Sequence, residues 1–236
     1  NRVRFPAVFV RESVSGCISL PGRVYWEEEN RRRESAMVEK GVVNARFQVL
    51  HLKHMEYLLA AKMRCQKLYI GITNPDPSYV RESVNDENRS TRGANPLTYL
   101  ERYEMIRLAM EEFGVPASEY EIMPFPINRP EYITQYVPED GMYYLGICDG
   151  WEEEKLKILN SLGLKTEVLW RRTKEEAGVT GTWVRSCIAT GEEWEHLVPK
   201  SVYQYSCGAG AGRENPASSP GTGRTGCEKQ NSRRRI

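Results

Sequence analysis

Gly41-Val-Val-Asn-Ala-Arg-Phe-Gln-Val-Leu-His-Leu-Lys-His54 is the stretch of this 236-residue chain that decides the fold. Residues 41–47 form a short apolar run typical of a buried strand that leads into a loop. Over residues 51–64 the apolar side chains recur at helical spacing, which predicts an amphipathic helix. His51 and His54 lie three apart on the first turn of that helix, so their side chains project to the same side.

Strand-like and helix-like segments alternate along the rest of the middle of the chain. The pattern predicts strands over 67–72, 120–124, 142–147 and 165–169, and helices over 96–113 and 152–162. Strand–helix alternation with right-handed crossovers gives a parallel, doubly wound sheet flanked by helices, which is the α/β class. Ligands bind such sheets at the carboxyl ends of the strands, where the strand order reverses.

The two ends of the chain differ in composition from the middle. Residues 1–36 show no sustained hydrophobic period and are predicted to be a poorly structured extension of the domain, which spans 37–205. Residues 206–236 are rich in Gly, Ser, Pro and Arg, and such a segment buries too little apolar area to become ordered. A flexible tail is therefore predicted there.

Composition argues against several classes of function. The chain has 33 basic and 32 acidic residues, and a net charge of +1 gives no reason to expect nucleic acid or a membrane as partner. No apolar run reaches the length of a membrane span, and no signal-peptide pattern is visible. The 6 cysteines include no C-x-x-C pair, which favours reduced thiols and a cytoplasmic protein. Whether the chain forms homo-oligomers stays open.

His51 and His54 stand at a position suited to phosphate. A helix N-terminus offers unpaired N–H donors and the positive end of the helix dipole. Imidazoles there can donate hydrogen bonds to phosphoryl oxygens, which stabilises the transition state of phosphoryl transfer. Two alternatives remain: a zinc site, for which the sequence shows no further His or Cys cluster, and surface histidines without a function.

Three motifs resemble, in the same order, those of nicotinamide-nucleotide adenylyltransferases and related cytidylyltransferase-like enzymes. Residues 45–54 resemble the motif G-R-F-Q-P-x-H-x-G-H. Residues 95–106 (Asn-Pro-Leu-Thr-Tyr-Leu-Glu-Arg-Tyr-Glu-Met-Ile) resemble the motif N-P-F-T-x-x-E-R-x-x-M-I. Residues 179–185 (Val-Thr-Gly-Thr-Trp-Val-Arg) resemble the motif I-S-[SG]-T-x-[IV]-R. The resemblance covers residues 42–203 and implies a Rossmann-like nucleotidyltransferase. Ala45 and Lys53 replace small residues of the first motif, which could lower or retarget activity.

The resemblance implies transfer of AMP from ATP, accompanied by Mg²⁺, to nicotinamide or nicotinate mononucleotide, with release of pyrophosphate. Such a reaction serves the biosynthesis or salvage of NAD. One alternative is a cytidylyltransferase or other nucleotidyltransferase that acts on a different phosphomonoester, and another is a nucleotide-binding protein without turnover. A fragment of a class I aminoacyl-tRNA synthetase is disfavoured by the motif at residues 180–185.

The predicted site residues combine these motifs with the ends of the strands. The predicted catalytic groups are His51, His54 and Arg185; the ATP-binding residues are Arg46, Phe47, Gln48, Thr180, Gly181, Thr182 and Arg185; the mononucleotide-binding residues are Arg102, Asn128, Asp149 and Trp151. No metal ligand from the protein is predicted. An ion pair with Glu101 or Glu104 is the alternative for Arg102, and packing at the core edge is the alternative for Trp151. The loop over 74–95 could close over the triphosphate or form a solvated stretch.

Overall fold

The computed structural model of the chain describes residues 37–75 and 92–210. The predicted N-terminal extension, most of the loop over 74–95 and residues 211–236 lie outside the described residues. The predictions made for those segments stay predictions.

Five parallel strands of the described residues form a sheet. They are β1 (Val38–Ala45), β2 (Cys65–Thr73), β3 (Tyr120–Phe125), β4 (Met142–Ile147) and β5 (Lys165–Arg171). Their order across the sheet is β3-β2-β1-β4-β5, and every pair of neighbours is parallel. The order reverses between β1 and β4, so the carboxyl ends of these two strands flank the position where such sheets bind ligands.

Helices follow the strands as the periodicity predicts. They are α1 (Leu52–Lys62), α2 (Tyr99–Glu112), α3 (Gly150–Ser161), the short α4 (Lys174–Ala177), α5 (Gly181–Thr190) and α6 (Lys200–Gly210). The predicted start of α2 at residue 96 was too early, because Thr98 caps the helix and exchanges hydrogen bonds with Glu101 in a capping box. Helix α3 starts earlier than predicted because the side chain of Asp149 caps it.

The last helix of the described residues runs past residue 205, the predicted end of the domain. Helix α6 continues to Gly210. Val202 is fully buried, and Tyr203 and Tyr205 pack against the same core cluster. Because this face of the helix packs on the core, the helix continues past the residue at which the composition changes.

Two core clusters cover the two faces of the sheet. Val42 belongs to one cluster and Val43 to the other, and successive side chains of a strand point to opposite faces. Helices α1, α2, α5 and α6 contribute to the cluster of Val43, whereas α3 contributes Trp151 and Leu159 to the cluster of Val42. Helices thus pack on both faces, which confirms the predicted doubly wound α/β fold.

Two predictions drawn from composition can be compared with this part of the chain. No helix in the described ranges is long and apolar enough to cross a membrane. Cys65, Cys148 and Cys187 are free thiols, as predicted, but Cys207 is disulfide-bonded. The prediction that all the cysteines are reduced was therefore wrong for Cys207.

Candidate active site

The loop between β1 and α1 is held in one shape by its own side chains. Phe47 is fully buried and takes a φ of 53°, a conformation that a bulky residue keeps only where its surroundings impose it. The side-chain amide of Gln48 forms two hydrogen bonds with the backbone of Leu97, donating to its carbonyl (3.0 Å) and accepting from its N–H (2.9 Å). Gln48 thus ties the loop to the segment before α2.

His51 and His54 form a stacked pair at the start of α1. Each ring Nδ1 accepts a hydrogen bond from the backbone N–H of the other residue, at 3.4 Å in both cases. The ring centroids are 3.8 Å apart, and the edge of Phe47 packs against His54 at 5.0 Å. Because each Nδ1 is an acceptor, the proton of the neutral ring lies on Nε2. Both imidazoles therefore carry their proton on Nε2, and the ring of His54 also has the backbone of Val49 as a hydrogen-bond partner.

The surroundings keep both imidazoles neutral. Burial, assisted by the charge of Arg185, lowers the pKa of His51 to about 4. Burial also lowers the pKa of His54. Proton binding at His51 and the charges of Arg46 and Lys155 would lower it further, and a hydrogen bond to the backbone of Val49 opposes this shift. At neutral pH the pair therefore offers two neutral hydrogen-bond donors among cationic side chains.

A second helix begins beside this pair. The Oγ1 of Thr180 caps α5 by accepting from the backbone N–H of Trp183 at 3.2 Å. Gly181, the first residue of the helix, lies so close to the loop that a Cβ built on it would stand 2.5 Å from the carbonyl oxygen of Gln48. The N-termini of α1 and α5 thus converge at the carboxyl end of β1.

Arg185 joins the two helix N-termini. Its Nη1 donates to the backbone carbonyl of Gln48, and its Nη2 donates to Oγ1 of Thr182 at 3.1 Å. The structure therefore brings together the residues of the first and third motifs, which are far apart in the sequence. Two helix N-termini, two imidazoles and a guanidinium group form an arrangement that can bind several phosphate groups at once.

Arg102 lies deeper than a ligand-binding arginine on a helix surface would. Only 2% of it is exposed, and its guanidinium donates to the carbonyls of Thr98 (3.2 Å), Arg46 (3.0 Å), Thr73 (2.7 Å) and Asn74 (2.9 Å). Burial lowers its pKa to about 10, so it stays charged at neutral pH. Arg102 thus joins the carboxyl ends of β1 and β2 to α2.

The ion-pair alternative for Arg102 does not occur. Glu101 accepts from Thr98 in the cap of α2, and Glu104 pairs with Arg107 at 2.9 Å. A buried guanidinium bonded to carbonyls is a positioning element of the site. Its contact with a mononucleotide stays a prediction.

The other residues predicted to bind the mononucleotide lie at the same edge of the sheet. Asn128 donates from Nδ2 to Oδ1 of Asn74 at 3.1 Å. Asp149 is exposed and accepts at Oδ1 from the backbone N–H groups of Trp151 (2.9 Å) and Glu152 (3.2 Å). Trp151 is 7% exposed and belongs to the core cluster of Val42. Trp151 therefore packs in the core as the alternative described, and its stacking on a substrate ring stays a prediction.

Comparison with known proteins shows which family this chain belongs to. No protein-family model matches the chain. A phosphonoformate cytidylyltransferase from Streptomyces viridochromogenes is 47% identical over 162 residues, which cover 69% of this chain and 87% of that protein. The chain belongs to the cytidylyltransferase-like family of nucleotidyltransferases. The family predicted from the three motifs is thereby confirmed.

More distant relatives carry the other activity that the motifs suggested. A nicotinamide-nucleotide adenylyltransferase from Saccharolobus solfataricus is 27% identical over 173 residues, covering 71% of this chain and 90% of that protein. The one from Pyrococcus horikoshii is 28% identical over 174 residues, covering 70% and 81%. A bifunctional NMN adenylyltransferase/ADP ribose pyrophosphatase from Francisella tularensis superposes with a TM-score of 0.49 at 13% identity, over 69% of this chain and 45% of that one.

Lys53, one of the two departures from the first motif, has partners in this nucleotidyltransferase. Its ammonium pairs with Glu56 at 2.9 Å, and Glu56 also pairs with Arg172 at 2.7 Å. The methylene stem of Lys53 lies beside Gly178, which has a φ of 69°. The lysine thus connects α1 to the segment that precedes α5.

Sequence reasoning missed two polar residues at this edge of the sheet. Asn44 near the end of β1 is 1% exposed, and Lys155 on α3 is 6% exposed. A signal for Lys155 exists, because Trp151, Lys155 and Leu159 recur every four residues and all three are buried. A lysine on the buried stripe of a helix points to a specific partner.

Substitution of Gly181 tests the contact between α5 and the loop. In Gly181→Ala the new methyl group meets the Gln48 carbonyl at 2.5 Å and Nη1 of Arg185 at 3.2 Å, so helix and loop must separate. We expect kcat/KM to fall by about 10- to 100-fold, because a displacement of about 1 Å can disrupt phosphate positioning on that scale. The measurement is steady-state pyrophosphate release by the variant and the wild type.

Gly208→Ala is the matched control. Gly208 lies on α6, where an added Cβ would meet nothing within 4 Å. Alanine is favoured over glycine in a helix, so folding and activity should be unchanged or slightly improved. Equal activity of Gly181→Ala and Gly208→Ala would mean that the close approach of Gly181 has no catalytic importance.

The depressed pKa of His51 predicts how stability depends on pH. The unfolded chain binds a proton at His51 near the ordinary pKa of about 6.5, whereas the folded protein does so only near 4. Stability is therefore fully present above about pH 6.5 and is lost as the pH falls toward 4. We expect His51 to account for a loss of about 2 kcal/mol between about pH 7 and about pH 5.

Urea unfolding of wild type and His51→Asn across that pH range measures this contribution. Asparagine is a favourable N-cap and does not titrate, so it keeps the cap while removing the proton site. The variant should lose less stability on acidification than the wild type does. Parallel pH profiles for the two proteins would show that the imidazole is not held neutral.

Proposed function

We propose that this nucleotidyltransferase transfers a cytidylyl group from CTP to phosphonoformate or a similarly small anionic phosphonate, with release of pyrophosphate. The observation that carries this proposal is the 47% identity to a phosphonoformate cytidylyltransferase over 87% of the length of that protein. The nicotinamide-nucleotide adenylyltransferases are only 25% to 28% identical in sequence to this chain. The cytidylyltransferase alternative therefore replaces ATP and a pyridine mononucleotide as the preferred assignment.

The chemistry requires positioning and charge neutralisation rather than a protein base. An oxygen of the acceptor phosphonate attacks the α-phosphorus of CTP, and a new P–O bond forms. The bond from the α-phosphorus to the oxygen that bridges to the β-phosphorus breaks, and its electrons leave with pyrophosphate. The acceptor phosphonate is anionic at neutral pH, as a phosphomonoester with its second pKa at about 6 is, so its oxygen can attack without a protein base.

The site residues supply the required donors. The Nε2–H groups of His51 and His54 point their hydrogen bonds at phosphoryl oxygens, where negative charge develops during the transfer. Arg185 and the N-terminus of α5 bind the pyrophosphate end of the nucleotide. No group of the enzyme becomes covalently attached to the nucleotide.

Mg²⁺ fits this site as an ion that arrives with the triphosphate. The groups around the site are imidazoles, guanidinium groups and helix N-termini, and the described ranges contain no group of three or more His, Cys, Asp or Glu side chains that could hold a metal ion. Mg²⁺ prefers oxygen ligands and commonly takes them from substrate phosphates. Bound there, it would neutralise charge on the phosphate oxygens.

Adenylyl transfer from ATP to a pyridine mononucleotide is the second candidate. Nicotinamide-nucleotide adenylyltransferases favour it, because the chain matches 81% to 90% of their length. Their sequence identity to the chain is low, at 27% to 28%. The phosphate-binding groups serve both reactions alike. The two candidates differ in the base of the nucleotide and in the acceptor.

Pyrophosphate release from purified protein decides between them. CTP and ATP are each supplied with Mg²⁺ and with phosphonoformate, nicotinamide mononucleotide or nicotinate mononucleotide, and each nucleotide is also tested without an acceptor. We expect acceptor-dependent release with CTP and phosphonoformate. Release that occurs only when ATP is supplied with a pyridine mononucleotide would establish the second candidate. Nucleotide binding without release from any pair would indicate a binding protein without turnover.

A further inference from the structure

Asn44 and Lys155 form a buried polar pair where the strand order reverses. The ammonium of Lys155 lies 3.5 Å from Oδ1 of Asn44 and 3.7 Å from a carboxylate oxygen of Glu152. Nδ2 of Asn44 is buried and has no hydrogen-bond partner among the described residues. Buried donors in native proteins are almost always satisfied, so an unsatisfied one indicates a position where a ligand accepts.

Lys155 and Arg185 lie on helices that pack on opposite faces of the sheet. Among the cations that depress the two imidazole pKa values, Arg185 acts on His51, and Lys155 acts on His54. Helix α5, which carries Arg185, packs on one face of the sheet, whereas α3, which carries Lys155, packs on the other. Arg185, the histidine pair and Lys155 therefore follow one another across the end of the sheet.

This order matches the requirements of in-line transfer. The nucleophile and the leaving group lie on opposite sides of the phosphorus under attack. With pyrophosphate on the side of Arg185 and the α-phosphate at the histidines, the acceptor approaches from the side of Lys155. Phosphonoformate carries a carboxylate beside its reacting phosphonate, so it presents a second anionic group that needs a partner.

We propose that Lys155 and Asn44 bind the carboxylate of the acceptor and thereby select acceptors with a second anionic group next to the phosphonate. This inference rests on the proposed cytidylyl transfer. The ammonium of Lys155 supplies a charge-assisted donor, and the amide Nδ2 of Asn44 supplies a second donor beside it. Glu152 holds the ammonium in place without occupying the amide.

The test compares phosphonoformate with methylphosphonate, which lacks the carboxylate. We expect Lys155→Met to raise the KM for phosphonoformate about 10- to 100-fold, the range for loss of a charge-assisted hydrogen bond, and to change the KM for CTP less than about 2-fold. Activity with methylphosphonate should stay within about 2-fold, so the preference between the two acceptors collapses. Asn44→Ala should lower the same preference by about 10-fold.

Lys157→Met is the matched control, because Lys157 is exposed on the same helix. It should keep the acceptor preference of the wild type. An equal loss with both acceptors, or a change confined to CTP, would overturn the carboxylate site. Thermal unfolding checks each variant, and if Lys155→Met does not fold, the acceptor preference of Asn44→Ala decides.

Binding of phosphonoformate in the absence of nucleotide separates this inference from the proposed function. Calorimetric titration should show binding to the wild type that Lys155→Met weakens by at least about 10-fold. Wild-type protein that binds phosphonoformate but releases no pyrophosphate with CTP would overturn the proposed function alone. Equal binding by wild type and Lys155→Met, or no binding by either, would overturn the carboxylate site.

Discussion

Replacement of His54 by alanine should lower kcat by about 100- to 1,000-fold. Loss of one preorganised donor to an oxygen that gains charge in the transition state has an effect of that size. The Nε2–H of His54 is such a donor, because its Nδ1 is committed to the backbone N–H of His51. The measurement is the rate of pyrophosphate release at saturating nucleotide and acceptor.

Stability and a second histidine variant provide the controls for His54→Ala. The substitution removes half of the capping box of α1, which we expect to cost about 1 kcal/mol and to leave the protein folded. His196→Ala removes an exposed histidine of the segment before α6 and should leave the rate unchanged. A folded His54→Ala protein with wild-type kcat would rule out a role of this imidazole in the chemistry.

Replacement of Arg102 by methionine should have the largest effect on folding. The side chain keeps its apolar stem, but four hydrogen bonds to backbone carbonyls disappear, and the carbonyl of Thr73 becomes a buried acceptor without its donor. Removal of one partner from a buried charged network costs about 3–5 kcal/mol. We expect the free energy of unfolding in urea to fall by about that amount.

Arg107→Met on the same helix is the control for Arg102→Met. Arg107 is partly exposed and pairs with Glu104 and Glu111 at the surface, and surface ion pairs contribute about 0–1 kcal/mol. A stable Arg102→Met protein whose KM for the acceptor rises would instead support the ligand role predicted from the sequence. Stability and KM therefore distinguish positioning by Arg102 from binding.

Positive charge concentrates at the site although the chain as a whole is nearly neutral. The net charge of the sequence is +1, yet the charges of Arg46, Lys155 and Arg185 all act on the histidine pair. Neutral imidazoles relieve repulsion within this group and still donate hydrogen bonds. Anionic substrates supply the charge that balances the cations.

The sequence by itself determined the architecture and the main elements of the site. Hydrophobic periodicity is a local property, so the order of strands and helices followed from it, and β4 begins and ends at the predicted residues, Met142 and Ile147. The three motifs also indicated the family through their resemblance to its signatures, and helix N-termini of the kind they suggest are suited to phosphate. Helix ends were less accurate, since side-chain caps at Thr98 and Asp149 set them.

Only the tertiary structure decided what each polar side chain contacts. Arg102 donates to the backbone carbonyls of Arg46, Thr73 and Asn74. Every residue has a backbone carbonyl, so the residue types do not reveal which ones become acceptors. Trp151 could stack on a base or fill the core, and packing of α3 on the sheet placed it in the core. Asn44 and Lys155 are 111 residues apart, and their contact arises only because β1 lies beside β4. Side-chain partners depend on which distant backbones become neighbours, which local patterns of residue type do not encode.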